Sequence, residues 1–260
     1  MFKRTVLSLL FPGLLLAGIW FSALPEVEHE LKARARSGDP AAQVELARRW
    51  YQGDLGRPDP AMAVHWLTLA ADQGYPAALH ILGRFLLTGT GVAKDETRGL
   101  ALVRAAADKG QPQAQAFLAT LYGNGALVPR DANAFLHWTR LAAKNGDARS
   151  QYNLAMLNLT GTLVRQDLPQ ARHWLELSAD NGFTEAQVAL GELLIRNLDQ
   201  PPDVVEACKW FAIASSKGHP KGERHLRRVV EHMSQAQMDE AARRANLWLE
   251  VRGGVDSGSR

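Results

Sequence analysis

The sequence predicts an all-α fold: a right-handed α-α superhelix, or solenoid, of five 36-residue helix-turn-helix repeats with terminal capping helices. Three observations support this prediction. A glycine recurs every 36 residues, an aspartate and a tryptophan recur in phase with it, and each interval holds two stretches with helical spacing of apolar residues. The recurring glycines are Gly38, Gly74, Gly110, Gly146, Gly182 and Gly218.

Each repeat is predicted to begin with a helix, and the third copy is the example. Its apolar face is formed by Ala114, Leu118, Ala119 and Tyr122. In every copy a leucine is followed by alanine or glycine, and a small residue there lets a neighbouring helix approach closely. A mid-repeat glycine should end this helix, because glycine adopts a positive φ without strain. These glycines are Gly53, Gly89, Gly125 and Gly161, with Asn197 in the fifth copy.

The second helix of each repeat should begin at an aspartate that caps its free N–H groups. The aspartates are Asp59, Asp95, Asp131, Asp167 and Asp203. A series of catalytic or metal-binding carboxylates is the alternative, but five identical positions favour capping. The tryptophans of this helix are expected in the core, at Trp66, Trp138, Trp174 and Trp210. The preceding His65, His137 and His173 should form an exposed stripe, because helix spacings of about 8–10 Å are too wide for a shared zinc site.

The composition of the chain excludes several classes of function and site. The chain has 260 residues, 46% of them hydrophobic, which suffices for a packed core. Its net charge of +3 comes from 30 basic and 27 acidic residues without a basic block, so a nucleic-acid partner is not expected. The single cysteine, Cys208, rules out an intramolecular disulfide and a cysteine-based zinc site, and we expect a buried thiol.

The repeats resemble the Sel-one-like repeat (SLR), a relative of the tetratricopeptide repeat. The second copy carries its motifs as Leu82-Gly83, Gly89-Thr90-Gly91-Val92, Asp95 and Ala105-Ala106. Departures are Leu102 in place of tryptophan, Asn158 in place of tyrosine, and Pro201-Pro202 in the turn of the fifth copy.

The repeats define the domain organisation. The five copies span residues 38–73, 74–109, 110–145, 146–181 and 182–218. Residues 25–37 should form an N-terminal cap helix, residues 219–252 C-terminal capping helices, and residues 253–260 a disordered tail. Within the C-terminal cap we expect a sixth first helix near residues 221–230. A last helix should run to about Val251, with Ser234 and Gln237 as its capping box.

Residues 1–24 are predicted to be a signal anchor. Residues 5–24 carry no charge and follow Lys3 and Arg4, and twenty helical residues span about 30 Å of hydrocarbon. We therefore expect a single-pass membrane protein. Its N-terminus would be cytoplasmic and its repeats would lie on the far side of the membrane, which is the periplasm in a bacterium. Cleavage as a signal peptide is the alternative and would leave a secreted or periplasmic protein. A cut after Ala23 would place the bulky Phe21 at a position that favours small residues.

The resemblance implies an adaptor that binds a protein or peptide on the concave side, which the first helices line. It implies no catalytic residue, cofactor or metal. By analogy with tetratricopeptide repeats, the groove residues are expected to be Arg48, Tyr51, Gln52, His80, Arg84, Thr88, Thr120, Asn124, Tyr152, Met156, Thr160, Glu192 and Arg196. A cell-envelope factor that binds glycan or peptidoglycan is the alternative. A β-lactamase-like hydrolase is disfavoured, because the sequence lacks a Ser-x-x-Lys motif and the paired cysteines of such relatives.

Overall fold

The computed structural model describes residues 27–196 and 203–257, and all regular secondary structure within them is helical. The chain divides into two compact units, Met1–Lys109 and Gly110–Arg260. The helices of unit 1 are α1 (residues 27–36), α2 (Pro40–Gln52), α3 (Pro60–Asp72), α4 (Pro76–Thr88) and α5 (Glu96–Asp108). The helices of unit 2 are α6 (Pro112–Asn124), α7 (Ala132–Lys144), α8 (Ala148–Thr160), α9 (Leu168–Asp180), α10 (Thr184–Arg196), α11 (Val204–Ser216), α12 (Pro220–Val230) and α13 (Gln235–Ser257).

The helices pair and stack within each unit as the repeat pattern predicts. In unit 1, α2 packs on α3, α3 on α4, and α4 on α5. In unit 2 the same order continues from α6 to α12. One hairpin cannot bury its own apolar face, so consecutive repeats pack as a solenoid and the predicted fold class is confirmed.

An aspartate caps each second helix. The N–H of Met62 donates to the carboxylate of Asp59 at 2.9 Å, and the N–H of Glu206 donates to Asp203 at 3.0 Å. The other three repeats do the same with Asp95, Asp131 and Asp167. Such a cap stabilises a helix by about 1 kcal/mol. The five aspartates are therefore structural, as predicted.

Glycine ends the first helix in the first four copies. The caps of α2, α4, α6 and α8 are Gly53, Gly89, Gly125 and Gly161, all in the left-handed region. The loops that follow these glycines differ at the position two residues after the capping glycine. The second copy places Gly91 there with φ 68°, whereas the fourth copy places Leu163 there with φ 60°. A leucine in this region is strained, because its Cβ approaches the following carbonyl oxygen.

Small residues permit close approach within a repeat. A Cβ added to Gly83 of α4 would lie 2.8 Å from the carbonyl oxygen of Gly99 in α5, and the reverse substitution would clash equally. In the fifth copy a Cβ on Gly191 would lie 2.5 Å from the ring of Phe211. The predicted role of these glycines, close helix contact, is thus confirmed.

A glutamine that the sequence analysis did not single out ties consecutive repeats together. It stands five residues after the repeat glycine, as Gln43, Gln115, Gln151 and Gln187, with Leu79 in the second copy. The Gln43 Nε2 donates to the carbonyl of Ala35 at 3.1 Å, and its Oε1 accepts from Gln73 at 2.9 Å. The Nε2 groups of Gln43, Gln151 and Gln187 each donate to a backbone carbonyl near the end of the preceding helix, where such groups lack helical partners.

The ends of the repeat array follow the prediction in part. Leu31 and Ala35 of α1 pack on Ala42 and Leu46 of α2, as expected of a cap helix. The predicted sixth first helix is α12, and the capping box of α13 is present, with Ser234 N–H donating to Gln237 at 2.9 Å.

The predicted end of the last helix is wrong. The helix α13 continues to Ser257, so residues 253–257, expected in a disordered tail, are helical. Two glycines lower helix propensity by about 1 kcal/mol each, but no proline follows to stop the helix. The helix packs on α11.

Three segments lie outside the described residues: 1–26, 197–202 and 258–260. The predicted signal anchor, Asn197 and Pro201-Pro202 fall in the first two of them. Within the described part of the chain, no helix combines the length and apolar character needed to cross a membrane.

Candidate partner-binding surface

The first helix of each repeat buries one side and exposes another. Positions 4, 5, 8 and 9 after the repeat glycine are buried in all five copies. Positions 3, 7, 10 and 14 are exposed or half-buried in every copy, and we call these positions the A-face. In unit 1 the A-face consists of Ala41, Glu45, Arg48, Gln52, Ala77, Ile81, Arg84 and Thr88. In unit 2 it consists of Gln113, Phe117, Thr120, Asn124, Arg149, Asn153, Met156, Thr160, Glu185, Ala189, Glu192 and Arg196, followed on α12 by Lys221, His225 and Arg228.

Helix geometry explains this division. Residues spaced three and four apart lie on the same side of a helix, so positions 3, 7, 10 and 14 form one continuous row. The opposite row carries the repeated Ala-Leu-Ala/Gly pattern and packs against neighbouring helices. The residues of the buried row recur from copy to copy, whereas those of the A-face differ, because packing does not constrain them.

Ten of the thirteen residues predicted for the groove lie on the A-face. They are Arg48, Gln52, Arg84, Thr88, Thr120, Asn124, Met156, Thr160, Glu192 and Arg196. The other three stand at the edge of this row. Tyr51 is 48% exposed with its ring 5.2 Å from that of Phe85, and the half-buried Tyr152 lies 5.3 Å from the ring of Phe183.

His80 does not form part of the exposed surface. Its side chain is buried, with 6% exposure, and burial lowers its pKa to about 4. It stands six positions after the repeat glycine, where the helix surface turns toward its neighbours. The expectation that His80 lines a groove is therefore corrected, and the neutral imidazole belongs to the packing of α4.

The sequence analysis missed positions 3 and 7 of the A-face. In unit 2 these positions add Arg149, Asn153 and Glu185, among others. The signal was available, because these residues stand one and two helical turns before the predicted ones. Most of the residues predicted by analogy with tetratricopeptide repeats lie in the C-terminal half of each first helix.

The A-face of unit 1 carries an ion-pair network at its first repeat. Arg48 donates to Glu45 at 2.7 and 2.8 Å, and Arg49 donates to the same carboxylate at 3.0 Å. Arg48 also bonds the Gln52 side chain and lies 3.6 Å from Asp54. The hydrogen bond from Arg48 lowers the pKa of Glu45, so this carboxylate stays ionised at neutral pH. The network fixes the Arg48 guanidinium in place before any partner binds.

The A-face of unit 2 is acidic on α10 and basic on α12. His225 Nε2 lies 2.9 Å from a carboxylate oxygen of Glu192, which connects these two helices. Burial, together with Glu185 and Glu192, raises the pKa of Tyr152, so its hydroxyl stays protonated. The Arg149 guanidinium lies over the Phe183 ring at 5.5 Å. Ions of both signs therefore lie along this surface.

The second helices support the predicted core role of the tryptophans. Trp138 and Trp210 are buried, and Trp66 and Trp174 are partly buried against the core clusters. The exposed His65, His137 and His173 each pack on the following tryptophan, with ring centroids 5.1–5.4 Å apart. Across residues 27–196 and 203–257 no group of side chains could hold a metal ion. Cys208 is buried as predicted, and burial raises its pKa.

The comparisons with known proteins agree with this architecture. The Sel1 repeat family matches residues 40–75, 76–111, 112–147, 148–183 and 184–219. A Sel1 repeat protein from Oxalobacter formigenes is similar in structure, with a TM-score of 0.67 and 25% identity over 81% of this chain and 88% of that one.

A second solved structure is a protective antigen present in uropathogenic Escherichia coli strains that displays an SLR fold. Its TM-score is 0.53 at 27% identity, over 85% of this chain and 55% of that one. No curated protein matches the chain. Since the family match covers more than half of the residues, the chain belongs to the Sel1 repeat family, whose members generally serve as protein–protein interaction scaffolds.

Proposed function

We propose that this protein is a scaffold that binds a protein or peptide segment on its A-face. The observation that carries the proposal is the contrast within each first helix. Its buried positions repeat a small residue, a leucine and a second small residue in all five copies and a glutamine in four of them, whereas its A-face positions differ in charge, size and polarity. A face that packing leaves unconstrained, and that mixes charged, polar and apolar groups with tyrosines at its edge, suits recognition of a polypeptide.

The tether is the second part of the proposal. We place the membrane anchor at residues 5–24, with the N-terminus in the cytoplasm and the repeats on the far side. The uncharged stretch and the preceding Lys3 and Arg4 support it. N-terminal sequencing of the protein from membranes tests it, because a protein that begins near Leu24 would show cleavage and a soluble product.

Charge reversal on the A-face tests partner binding. Arg48 and Arg84 occupy position 10 in the two copies of unit 1, and both are exposed. The double variant R48E/R84E should lose captured protein in a pull-down from the native membrane, while circular dichroism and the melting temperature stay close to wild type. The matched control is R57E/R98E, which reverses two exposed arginines away from the A-face.

Capture that persists in R48E/R84E, or that is lost equally in R57E/R98E, would contradict the assignment of the A-face in unit 1. The same preparations also test the glycan alternative. Among the described residues, Tyr51 is the one aromatic side chain that is largely exposed, so it is the ring available for sugar stacking. Co-sedimentation with purified peptidoglycan that disappears in Y51A would favour that alternative.

The absence of catalysis stays a prediction. Sel1 repeat proteins are typically non-enzymatic scaffolds, and we expect no turnover from this chain. Hydrolysis of the β-lactam nitrocefin by the purified protein would contradict this expectation directly.

A further inference from the structure

A second surface lies at the C-terminal end of unit 2, separate from the A-face. A recess of about 310 Å³ opens between α11 and α13. We call it the terminal recess. Its lining residues are Lys209, Arg243, Arg244, Leu247, Trp248 and Val251. Three of them are cations and three are apolar, and no acidic residue lines it.

The apolar part of the terminal recess is unusually exposed for a helix that caps a core. Leu247 is 54% exposed and Val251 is 62% exposed, one turn apart on α13. The opposite side of the same helix is buried through Ala241 and Ala245. The cap thus needs one apolar row to cover α11, and Leu247 and Val251 lie outside that row.

The cations of the terminal recess outnumber the carboxylates that hold them. Lys209 donates to Glu206 at 2.7 Å, and Arg243 donates to Glu240 at 2.7 and 2.8 Å. Arg244 donates to both, at 2.8 Å to Glu240 and 3.1 Å to Glu206. Three cations therefore share two carboxylates, and hydrogen bonds from Arg243 and then Arg244 lower the pKa of Glu240 to about 2. Each guanidinium has five N–H donors, so both arginines keep donors for a further carboxylate.

Two more cations extend this positive region around Trp248. The Lys217 ammonium lies 4.9 Å from the centre of the Trp248 ring, and the Arg252 guanidinium lies 5.8 Å from it. The recess therefore combines exposed apolar side chains with cations around Trp248.

We propose that the terminal recess docks an acidic amphipathic segment of a protein partner. A large apolar side chain of that segment packs on Leu247 and Val251, and its flanking carboxylates pair with Arg243 and Arg244. Charge complementarity argues for an acidic partner. This surface stands on its own, because none of its residues belongs to the A-face.

A synthetic peptide tests the proposal with the full chain. The probe is a fluorescein-labelled peptide of about four helical turns with leucine on one side and glutamate on the other. Fluorescence anisotropy should show saturable binding that weakens with salt. The variant L247S/V251S should bind at least about tenfold more weakly, and R243Q should weaken binding and reduce the salt dependence. Both leucine and valine are exposed, so the fold should survive the change.

Control variants in unit 2 distinguish binding at the terminal recess from nonspecific binding of the peptide. L177S removes an exposed leucine of α9, and R227Q removes an arginine whose side chain is 77% exposed on α12. Both should bind the probe like wild type, and a peptide with lysine in place of glutamate should not bind. Equal affinity of wild type and L247S/V251S, or no binding at all, would overturn the proposal. So would binding to phosphatidylserine vesicles that L247S/V251S abolishes while the peptide fails to bind, because a lipid surface would then be the occupant.

Discussion

The Asn181 side chain donates to the Gln151 Oε1 at 2.9 Å, and this bond joins the end of α9 to the first turn of α8. The Gln151 Nε2 in turn donates to the carbonyl of Ala143, near the end of α7, at 3.1 Å. One buried amide therefore connects a repeat to the repeat before it. Because the same contact recurs with Gln43 in unit 1, it is a regular element of the stacking.

Removing the side-chain amide of Gln151 should destabilise the folded protein. We expect Q151L, which copies the leucine found at Leu79 in the second repeat, to lower the free energy of unfolding by about 2–3 kcal/mol. The reason is that the buried Ala143 carbonyl and the Asn181 amide both lose a partner. Urea denaturation followed by circular dichroism measures the loss. A double-mutant cycle of Q151A with N181A should give a coupling near 1 kcal/mol, and additive effects would contradict a direct bond.

The fifth repeat lacks the equivalent of Asn181. The Oε1 of Gln187 is buried without a hydrogen-bond partner, and Lys217 stands where the first, third and fourth repeats place an amide. We expect K217N to be more stable than K217A by about 1 kcal/mol, because asparagine can donate to Gln187. Both variants lose the hydrogen bond from Lys217 to the carbonyl of Gly182 at 3.2 Å, so the difference between their free energies of unfolding, measured by urea denaturation, does not contain that loss. Equal stabilities would show that the position does not reach the glutamine.

Backbone strain at Leu163 gives a stabilising prediction. Its φ of 60° is unfavourable for leucine, and its side chain is 50% exposed, so little burial is lost on truncation. We expect L163G to raise the free energy of unfolding by about 0.5–1 kcal/mol, after the entropic cost of glycine is subtracted. Leu127 occupies the same place in the third repeat with a negative φ, so L127G should destabilise. A gain in both variants, measured by thermal unfolding, would refute the strain argument.

The pH dependence of stability follows from His80. Its pKa in the folded protein is about 4, below the ordinary value of 6.5, because burial disfavours the charged imidazole. The unfolded chain therefore binds the proton more readily, and stability is complete above pH 6.5 and declines as the pH falls toward 4. The full loss approaches about 3 kcal/mol.

The variant H80V isolates this contribution. Valine is the residue at the equivalent positions Val44 and Val188, so the packing should tolerate it. The difference between the free energies of unfolding at neutral pH and near pH 4 should be smaller in H80V than in wild type. An unchanged difference would mean that other groups cause the acid sensitivity.

The sequence predicted those features that depend on local chemistry. Aspartate before a helix and glycine after one act within a single turn, so the caps at Asp59 and Gly53 could be assigned from position alone. The 36-residue recurrence then fixed the number of repeats, because a hairpin of this size must stack to bury its core.

Features that depend on contacts between repeats were not predictable in the same way. The recurrence of Gln151 and its equivalents was visible, but its partners are carbonyl and amide groups in two other helices. His80 lies at the edge of an exposed row, and its burial depends on how neighbouring helices close over it.

Site-specific photo-crosslinking can show whether partners bind the A-face. A photoreactive side chain placed at Met156 on the A-face, and in a second variant at Leu177 on α9, would be activated in intact cells before mass spectrometry of the products. Binding on the A-face should give a discrete protein adduct at Met156 and none at Leu177. Adducts confined to Leu177, or no protein adduct from either position, would contradict it.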